Sequence, residues 1–404
     1  MTLKYFKKGL KMSKNKTLIE YFSKIKDPRM TNKSKHKLID IIILSVCALI
    51  SNCDTFVHIE LYGIQKIDWL KKFLDLSGGI PSHDTISRVF SLLDPSELQE
   101  AFQLWAEDVV SDLNLENNTV SIDGKYLQST KGSIRLESNG KKTFFGMINA
   151  YSSEAGIAIG QLRTDFEKKN EVEATRELIK RLNLKGCTVT VDALSSQPET
   201  TEAIREKEAD YLIALKNNQR KLFAKVEDLL NIPPTVENSY TTIDEGHGRI
   251  EVRVCTAKKL SDEFINELNE YYKKLKRPTW KDLNSVIKIE SSRTMKGKTT
   301  IEVRYYLSNK DSNAEELSKI ARSHWAIENN LHYVLDVYFN EDSSRVRNSF
   351  AGENLAVLRQ MSLNLLKEEK TFKGSIKSKR FNCGWNEDYL EKVIFGFINN
   401  GSVK

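Results

Sequence analysis

The amino-acid sequence predicts an α/β protein, with a mixed β-sheet covered by helices, a helical N-terminal region and a β-rich insertion. Three observations support this class: apolar residues at helical spacing up to about residue 112, patterns in the order β-β-β-α-β-α-β up to residue 215, and further strands after residue 216. A chain of 404 residues also exceeds the usual size of one small domain. We therefore expect a helical domain at 1–112, a core at 113–345 with its insertion at 217–304, and a helical C-terminal segment at 346–404.

The N-terminal region carries the signals of several helices. The apolar run Leu38–Ile50 is shorter than the roughly 20 residues that a membrane span needs, so it predicts a buried helix. The segment Pro81–Thr85 is typical of a turn followed by a helix cap. Asp94–Glu97 combines an N-cap residue, a proline at the first helical position and a glutamate at the third. The helix that follows carries four large apolar residues on one face: Leu98, Phe102, Trp105 and Val109.

The order of elements after residue 117 predicts the central sheet. Five β-rich segments are candidate strands: Thr119–Asp123, Thr143–Tyr151, Gly156–Arg163, Thr188–Asp192 and Tyr211–Leu215. Two helical segments, Asn170–Leu182 and Pro198–Lys207, separate the last three strands. Three closely spaced strands favour an antiparallel meander, whereas strand-helix-strand units give parallel neighbours, so the sheet should be mixed.

The remainder of the chain predicts a return to strands and then to helices. Strand signals occur near Ile250–Thr256, Val286–Ser291 and Thr299–Leu307, and we expect this insertion to close back on the main sheet. A capping box at Ser312–Glu315 opens a helix that extends to about residue 339. A last helix covers Asn354–Lys367.

The distribution of charge indicates a polyanionic partner. The net charge is +7, from 62 Lys and Arg against 55 Asp and Glu, and residues 1–40 alone hold 12 basic and 3 acidic residues. A second basic run without acids comprises Lys370, Lys373, Lys377, Lys379 and Arg380. Basic arms on a nearly neutral body are typical of nucleic-acid binding, and a solubilising tail is the alternative interpretation.

Composition excludes several classes of protein. The sequence has no apolar run long enough to span a membrane, so we expect neither a membrane protein nor a membrane partner. The five cysteines are scattered without C-x-x-C spacing, which argues against a zinc ribbon or a disulfide framework and fits the reducing cytoplasm. Phosphate-binding loops and serine-hydrolase motifs are also absent from the sequence.

Three acidic residues are candidates for catalysis. Asp123 and Asp192 each end a predicted strand, where the alternative role is a helix cap or a turn. Glu328 falls within an apolar helical stripe: Leu317, Ala321, His324, Glu328, Leu331 and Leu335. A carboxylate there is either half of a buried ion pair, with His324 or Arg322, or a metal ligand directed at the sheet.

Oxygen ligands without cysteine favour Mg²⁺ or Mn²⁺. Two such ions can activate water or a hydroxyl group on one side of a phosphodiester and stabilise the leaving oxygen on the other. Together with the basic arms, the three acids predict metal-dependent cleavage or transfer of nucleic-acid strands.

Several ordered motifs match a known family. They are Asp27-Pro28-Arg29, Gly79–Thr85, Asp123-Gly124-Lys125, Val189–Leu194, Asp210–Leu212 with Lys216–Gln219, His247–Glu251, Arg322–Asn329, Leu331-His332 and Leu335–Val337. With these motifs the chain resembles bacterial insertion-sequence transposases of the DDE type, close to the H-repeat-associated (ISAs-type) group.

The resemblance implies a ribonuclease-H-like core in which the first and fourth strands lie side by side, and a metal-binding triad of Asp123, Asp192 and Glu328. Related transposases carry an arginine four residues before the glutamate and a lysine seven residues after it, where this chain has His324 and Leu335. Asp336 is a weaker candidate for the third ligand. Candidate DNA contacts are Lys125, Lys216, Asn218, Arg249, Arg322, His324 and Arg345, with Arg322 and Arg345 as possible replacements for the missing cations. Trp325 is expected to pack in the core.

The expected function is two-metal cleavage of DNA at the ends of a mobile element, followed by strand transfer into target DNA. The terminal inverted repeats and the target DNA would be the partners, with a homodimer formed on DNA. The alternatives are a catalytically inactive DNA-binding relative and, more remotely, a nuclease that acts on RNA hybrids.

Overall fold

The structure is a computed structural model that describes residues 18–30, 34–113, 117–126, 145–165, 168–231, 238–246, 248–346 and 349–396. The first 17 residues, which carry much of the predicted basic arm, therefore lie outside the described residues, as does His247. Among the described residues, none of the helices combines the length and the apolar character that crossing a membrane would require.

Among the described residues up to 113, the N-terminal region contains six helices: α1 Leu18–Phe22, α2 Leu38–Ile50, α3 Phe56–Gln65, α4 Ile67–Leu70, α5 His83–Leu92 and α6 Pro95–Asp112. Both predicted caps are confirmed, because Ser82 Oγ accepts from the Thr85 backbone and Asp94 Oδ1 accepts from the Ser96 backbone. Glu97 does not complete a capping box but accepts from the backbone N–H of Lys26 at 2.6 Å. The four apolar residues predicted for one face of α6 are all buried.

In the part of the chain that the structure describes, nine strands form one mixed sheet in the order β3-β2-β1-β4-β5-β9-β8-β7-β6. The first five are β1 Thr119–Tyr126, β2 Phe145–Ser152, β3 Ile157–Asp165, β4 Thr188–Val191 and β5 Asp210–Leu215. Helix α7, Lys168–Arg181, follows β3, and α8, Pro198–Glu206, follows β4. β4 pairs in parallel with both β1 and β5, while β2 pairs antiparallel with β1 and β3, so the predicted mixed sheet is confirmed.

One strand end was predicted wrongly. Strand β1 does not end at Asp123 but continues to Tyr126, because residues 123–126 pair with β2 beyond the point where β4 stops. Asp123 is therefore a residue within a strand and lies opposite Asn149.

The insertion extends the sheet rather than forming a separate one. Its strands are β6 Ser239–Gly246, β7 Arg249–Lys259, β8 Ser285–Met295 and β9 Lys298–Ser308, with helices α9 Arg220–Leu230 and α10 Asp262–Lys274. β9 returns antiparallel to β5, with Leu215 opposite Tyr305, which confirms that this segment closes back on the main sheet. Beyond Leu215, β9 continues past the end of β5 along its own hairpin with β8.

The helix that carries Glu328 is not continuous, contrary to expectation. It consists of α11 Ala314–Ser323, α12 Trp325–Ile327, a π-helical turn Glu328–His332 and α13 Tyr333–Tyr338. Its N-cap is Asn313 rather than Ser312. The interruption and the π-turn shift the buried face, which passes through Ile327 and leaves Glu328 exposed.

Between residues 349 and 396, the structure describes three further helices: α14 Ser349–Glu368, α15 Ile376–Trp385 and α16 Glu387–Phe395. The sequence predicted only the first. α14 packs against α2, α5, α6 and β3, so it joins the N-terminal helices to the sheet. Two members of the predicted basic run are buried: Lys379 donates to the Leu366 carbonyl at 2.8 Å, and Arg380 donates to the Leu49 carbonyl and to Asp54. The interpretation of this run as a basic arm for nucleic acid is therefore wrong for these two residues.

Candidate active site

The parallel pairing of β1 and β4 brings the first two predicted acids together. Ile122 lies opposite Val191 in the register, and Asp123 and Asp192 are the next residues of the two chains. The expected juxtaposition of these strands is confirmed. Asp192 also has a local role, because its Oδ1 accepts from the backbone N–H of Ser195 at 3.0 Å and fixes the turn that follows β4.

Asp123 lies in an acidic environment. Burial and the negative charge of Asp192 raise the pKa of Asp123 to about 7, with smaller contributions from Glu171 and Glu328 and an opposing hydrogen bond from the Gly124 backbone. Four carboxyl groups are thus close enough to interact. A perturbed carboxyl in such a cluster is a typical sign of a functional site.

The third predicted acid, Glu328, occupies a different environment from the one expected. Its side chain is exposed at the start of the π-turn and does not belong to the buried stripe. It nevertheless lies near enough to Asp123 for its charge to raise the pKa of that residue. An exposed carboxylate next to a recessed one is accessible to a large substrate.

Glu171 is a fourth acid that the sequence patterns did not single out. Its Oε2 accepts from the Tyr126 hydroxyl at 2.5 Å, and its Oε1 lies where a side chain on residue 124 would be. A Cβ on Gly124 would be 2.8 Å from that oxygen, closer than real Cβ atoms approach, so the glycine leaves room for the carboxylate. The available signal was topological, since a helix after β3 packs on the sheet that contains β1.

The donor set suits a hard divalent cation, since Asp123, Asp192, Glu171 and Glu328 offer only oxygen. In the part of the chain that the structure describes, however, no three carboxylate, histidine or cysteine side chains stand close enough together to hold a metal ion. To hold a cation, these side chains would therefore have to move closer together.

Two histidines lie behind the acids in uncharged form. Burial lowers the pKa of His324 to about 4, against the opposing effect of Asp192, and its Nδ1 forms a 2.8 Å hydrogen bond with Thr190. Burial, with smaller effects from Lys125 and His324, lowers the pKa of His332 to about 3. The sequence predicted a DNA contact for His324, whereas in the structure its ring is hydrogen-bonded to Thr190 of strand β4. His332 was not predicted as a site residue.

Lys125 was also predicted to contact DNA, but its side chain is buried against two acidic residues. It is 8% exposed, and its Nζ contacts Asp336 and lies 2.5 Å from Glu341 Oε2. Burial acts to lower the pKa of Lys125, but Glu341 and Asp336 raise it above its ordinary value. The ammonium is therefore committed to an internal ion pair. Asp336, the weaker candidate for the third metal ligand, is part of the same ion pair.

The other predicted DNA contacts are exposed, and they lie at three places in the fold. Lys216 and Asn218 follow β5, where Asn218 Nδ2 donates to the Ala193 carbonyl at 2.8 Å and so supports the turn after Asp192. Arg249 begins β7 after the tight turn at Gly248, whose φ is +72°. Arg322 lies 3.1 Å from Asp244.

The pKa of Asp244 is lowered, chiefly by its hydrogen bond from Arg253 and then by the charges of Arg322 and Arg249. These three guanidinium groups therefore gather around one acid. Arg345 is exposed in the loop after α13.

Trp325 is not core packing as expected. It is 42% exposed, and the guanidinium of Arg304 lies 4.4 Å from the centre of its ring. Trp325 lies three residues before Glu328 in the interrupted helix, and Arg304 lies in β9.

Comparison with known proteins identifies the family. Residues 116–365 match the family model described as the transposase DDE domain, and residues 19–106 match the model of the domain associated with it. The chain belongs to the transposase DDE family. The predicted family is confirmed, and so is the ribonuclease-H-like α/β fold class.

The transposase is similar to two bacterial proteins over most of its length. It is 36% identical over 386 residues to the putative transposase YncI of Escherichia coli O157:H7, with 94% of each chain covered. It is 34% identical over 388 residues to the H repeat-associated putative transposase YhhI of Escherichia coli (strain K12), with 94% of this chain and 98% of that one covered. The piggyBac transposase synaptic complex with hairpin DNA has a TM-score of 0.40 and 11% identity, covering all of this chain and 83% of the other.

Proposed function

We propose that this transposase holds two divalent cations, Mg²⁺ or Mn²⁺, on Asp123, Asp192 and Glu328, cleaves DNA at the ends of a mobile element and joins the freed ends to target DNA. The observation that carries the proposal is the register of β1 and β4, which makes Asp123 and Asp192 neighbours. Glu328 is close enough to act on the pKa of Asp123. Membership of the transposase family supports DNA strand cleavage and transfer as the general activity.

The protein's own groups have distinct tasks in this proposal. Asp123 and Asp192 offer oxygens from the rigid centre of the sheet, and the Ser195 N–H holds Asp192 in place. Glu328 offers its carboxylate from the exposed π-turn, where DNA can approach. When bound, the cations activate a water molecule or a 3′-hydroxyl group and stabilise the leaving oxygen.

DNA would lie across the carboxyl ends of β1, β4 and β5. Lys216 and Asn218 follow β5, and Asn218 donates to the carbonyl of Ala193, the residue after Asp192. Arg249, Arg322 and Arg345 are exposed cations suited to phosphate contacts. The N-terminal helices and the Lys-rich arm would bind the terminal inverted repeats. Because two element ends must be held together before strand transfer, we infer a homodimer on DNA, acting in the cytoplasm.

The test is cleavage of a supercoiled plasmid that carries the DNA flanking the gene, in Mg²⁺ buffer. We expect Asp192→Ala to reduce nicking at least about 100-fold while salt-dependent DNA binding remains. The matched control is Asp262→Ala, which removes an exposed acid of α10 far along the insertion and should cleave normally.

Three results would change the proposal. Cleavage that survives Asp192→Ala would refute the metal triad. Wild-type protein that binds DNA without Mg²⁺-dependent cleavage would be the catalytically inactive relative. Cleavage confined to RNA hybrids would indicate a nuclease instead.

A further inference from the structure

A chain of buried polar side chains connects helix α14 to the carboxylate of Asp123. Gln360 Nε2 donates to Asn149 Oδ1 at 2.5 Å, and Asn149 Nδ2 lies 3.2 Å from His332 Nε2. The other ring nitrogen of His332, Nδ1, is 3.7 Å from Asp123 Oδ2. Gln360, Asn149 and His332 are 2%, 1% and 8% exposed, so water competes little for these contacts.

The orientation of Asn149 decides which nitrogen of His332 carries a proton. The backbone carbonyl of Met147 can only accept, and it lies 3.3 Å from the side-chain nitrogen of Asn149. That nitrogen therefore also faces His332, and it donates to Nε2. An imidazole that accepts at Nε2 carries its N–H at Nδ1, which is the atom that faces Asp123.

We propose that His332 is a positioning residue for Asp123. Its Nδ1–H attracts one carboxylate oxygen of Asp123 toward α13 and leaves the other oxygen free to serve as a ligand beside Asp192. The 3.7 Å separation is about 0.7 Å longer than an ordinary N–H···O bond, so the contact in the structure is an electrostatic attraction between the N–H and the carboxylate. The inference rests on the proposed function, because only there is Asp123 a metal ligand.

The π-turn gives this arrangement its local basis. Glu328 is the first residue of the turn and His332 is the last. One turn thus presents a proposed ligand to solvent and a buried hydrogen-bond donor to Asp123. π-turns within helices are frequent at functional sites, where the extra residue redirects side chains.

The experiment measures the affinity of the full-length protein for Mn²⁺ alone by isothermal titration calorimetry. We expect His332→Leu to weaken Mn²⁺ binding about 10–100-fold, the range found for hydrogen-bond partners of metal ligands. His332→Asn should restore most of the affinity, because the asparagine nitrogen lies close to the position of Nδ1. In the nicking assay, His332→Leu should raise the Mg²⁺ concentration at half-maximal rate far more than it lowers the rate at saturating Mg²⁺.

Two further variants separate positioning from packing. Gln360→Met removes only the donor to Asn149 and should weaken Mn²⁺ binding less than His332→Leu, and it replaces that variant if His332→Leu does not fold. Asn364→Leu is the matched control on the same helix, since it breaks two hydrogen bonds to Ala158 without touching the chain to Asp123. It should lower the free energy of unfolding and leave Mn²⁺ affinity unchanged.

Unchanged Mn²⁺ affinity in His332→Leu, or in Gln360→Met where that variant replaces it, would overturn the inference. So would equal losses in His332→Leu and His332→Asn, because the ring's volume rather than its N–H would then matter. A wild-type protein that shows no Mn²⁺ binding dependent on Asp123 would overturn the proposed function and this inference together, which distinguishes the two failures.

Discussion

Replacing Lys125 with methionine tests the ion pair that lies behind the candidate site. The ammonium contacts Asp336 and is 2.5 Å from Glu341 Oε2. The side chain of Glu341 is 3% exposed, whereas that of Asp336 is 27% exposed. The substitution therefore leaves one deeply buried and one partly solvated carboxylate without their cation.

The expected magnitude follows from these two environments. Removing one partner of a buried ion pair typically destabilises a protein by about 3–5 kcal/mol. Asp336 is accessible to water, so its contribution to the loss of stability resembles that of a surface ion pair, below about 1 kcal/mol. Arg359, which is 2% exposed, interacts electrostatically with Glu341 and offsets part of the loss. We therefore expect Lys125→Met to lower the free energy of unfolding by about 3 kcal/mol.

The assay is urea denaturation followed by circular dichroism, for Lys125→Met, Glu341→Leu and the double variant. Because an apolar pair can replace a buried ion pair at little cost, the double variant should lose only about 1 kcal/mol, giving a coupling energy of at least about 2 kcal/mol. Additive losses, or a stability change below about 1 kcal/mol for Lys125→Met, would refute this reasoning. If Lys125 instead binds phosphate, the variant would be as stable as wild type, and the slope of log DNA affinity against log salt concentration would decrease by the equivalent of about one released counterion.

Two further predictions concern charge at the site and on the insertion. The pKa of Asp123 is raised to about 7 from an ordinary 3.8, so the folded state binds this proton more tightly than the unfolded state does. The resulting contribution to the free energy of unfolding is fully present below about pH 4 and is lost as the pH rises through 7. The free energy of unfolding of Asp123→Asn should therefore exceed that of wild type by about 2–3 kcal/mol at pH 8 in chelating buffer and equal it at pH 4. A difference in urea denaturation that does not change with pH would contradict this expectation. Arg249→Ala should reduce the slope of log affinity for DNA against log salt concentration by about 0.9 without changing the free energy of unfolding. The control Lys273→Ala, on α10, should leave the slope unchanged. Equal slopes in the two variants would argue against the proposed phosphate contact of Arg249.

The sheet was predictable because its signals are local. Runs of β-rich residues gave β1 through β5 to within a few residues, and the pairing of β1 with β4 was implied by the resemblance to DDE transposases. The meeting of Asp123 and Asp192 follows from that pairing alone. It needs no knowledge of any side chain's surroundings.

The third acid was harder to place because helical periodicity assumes a regular helix. The break at His324 and the π-turn from Glu328 shift the buried stripe by one position to Ile327. Periodicity has no signal for an extra residue in a turn. Glu171 was missed for a related reason, since its position depends on how α7 packs across β1 and on the absence of a side chain at Gly124.

The basic residues mark the limit of inference from charge. A motif or a run shows that a cation is present, but its role depends on whether partners distant in sequence enclose it. Glu341, which binds Lys125, lies 216 positions away in the chain, and Asp54, which binds Arg380, lies 326 positions away. Lys125 joins β1 to α13 and to the loop that follows it, whereas Arg380 joins α15 to the N-terminal region. The charge available to DNA is correspondingly smaller than the sequence total, and it comes from cations with exposed side chains, such as Lys216, Arg249 and Arg345.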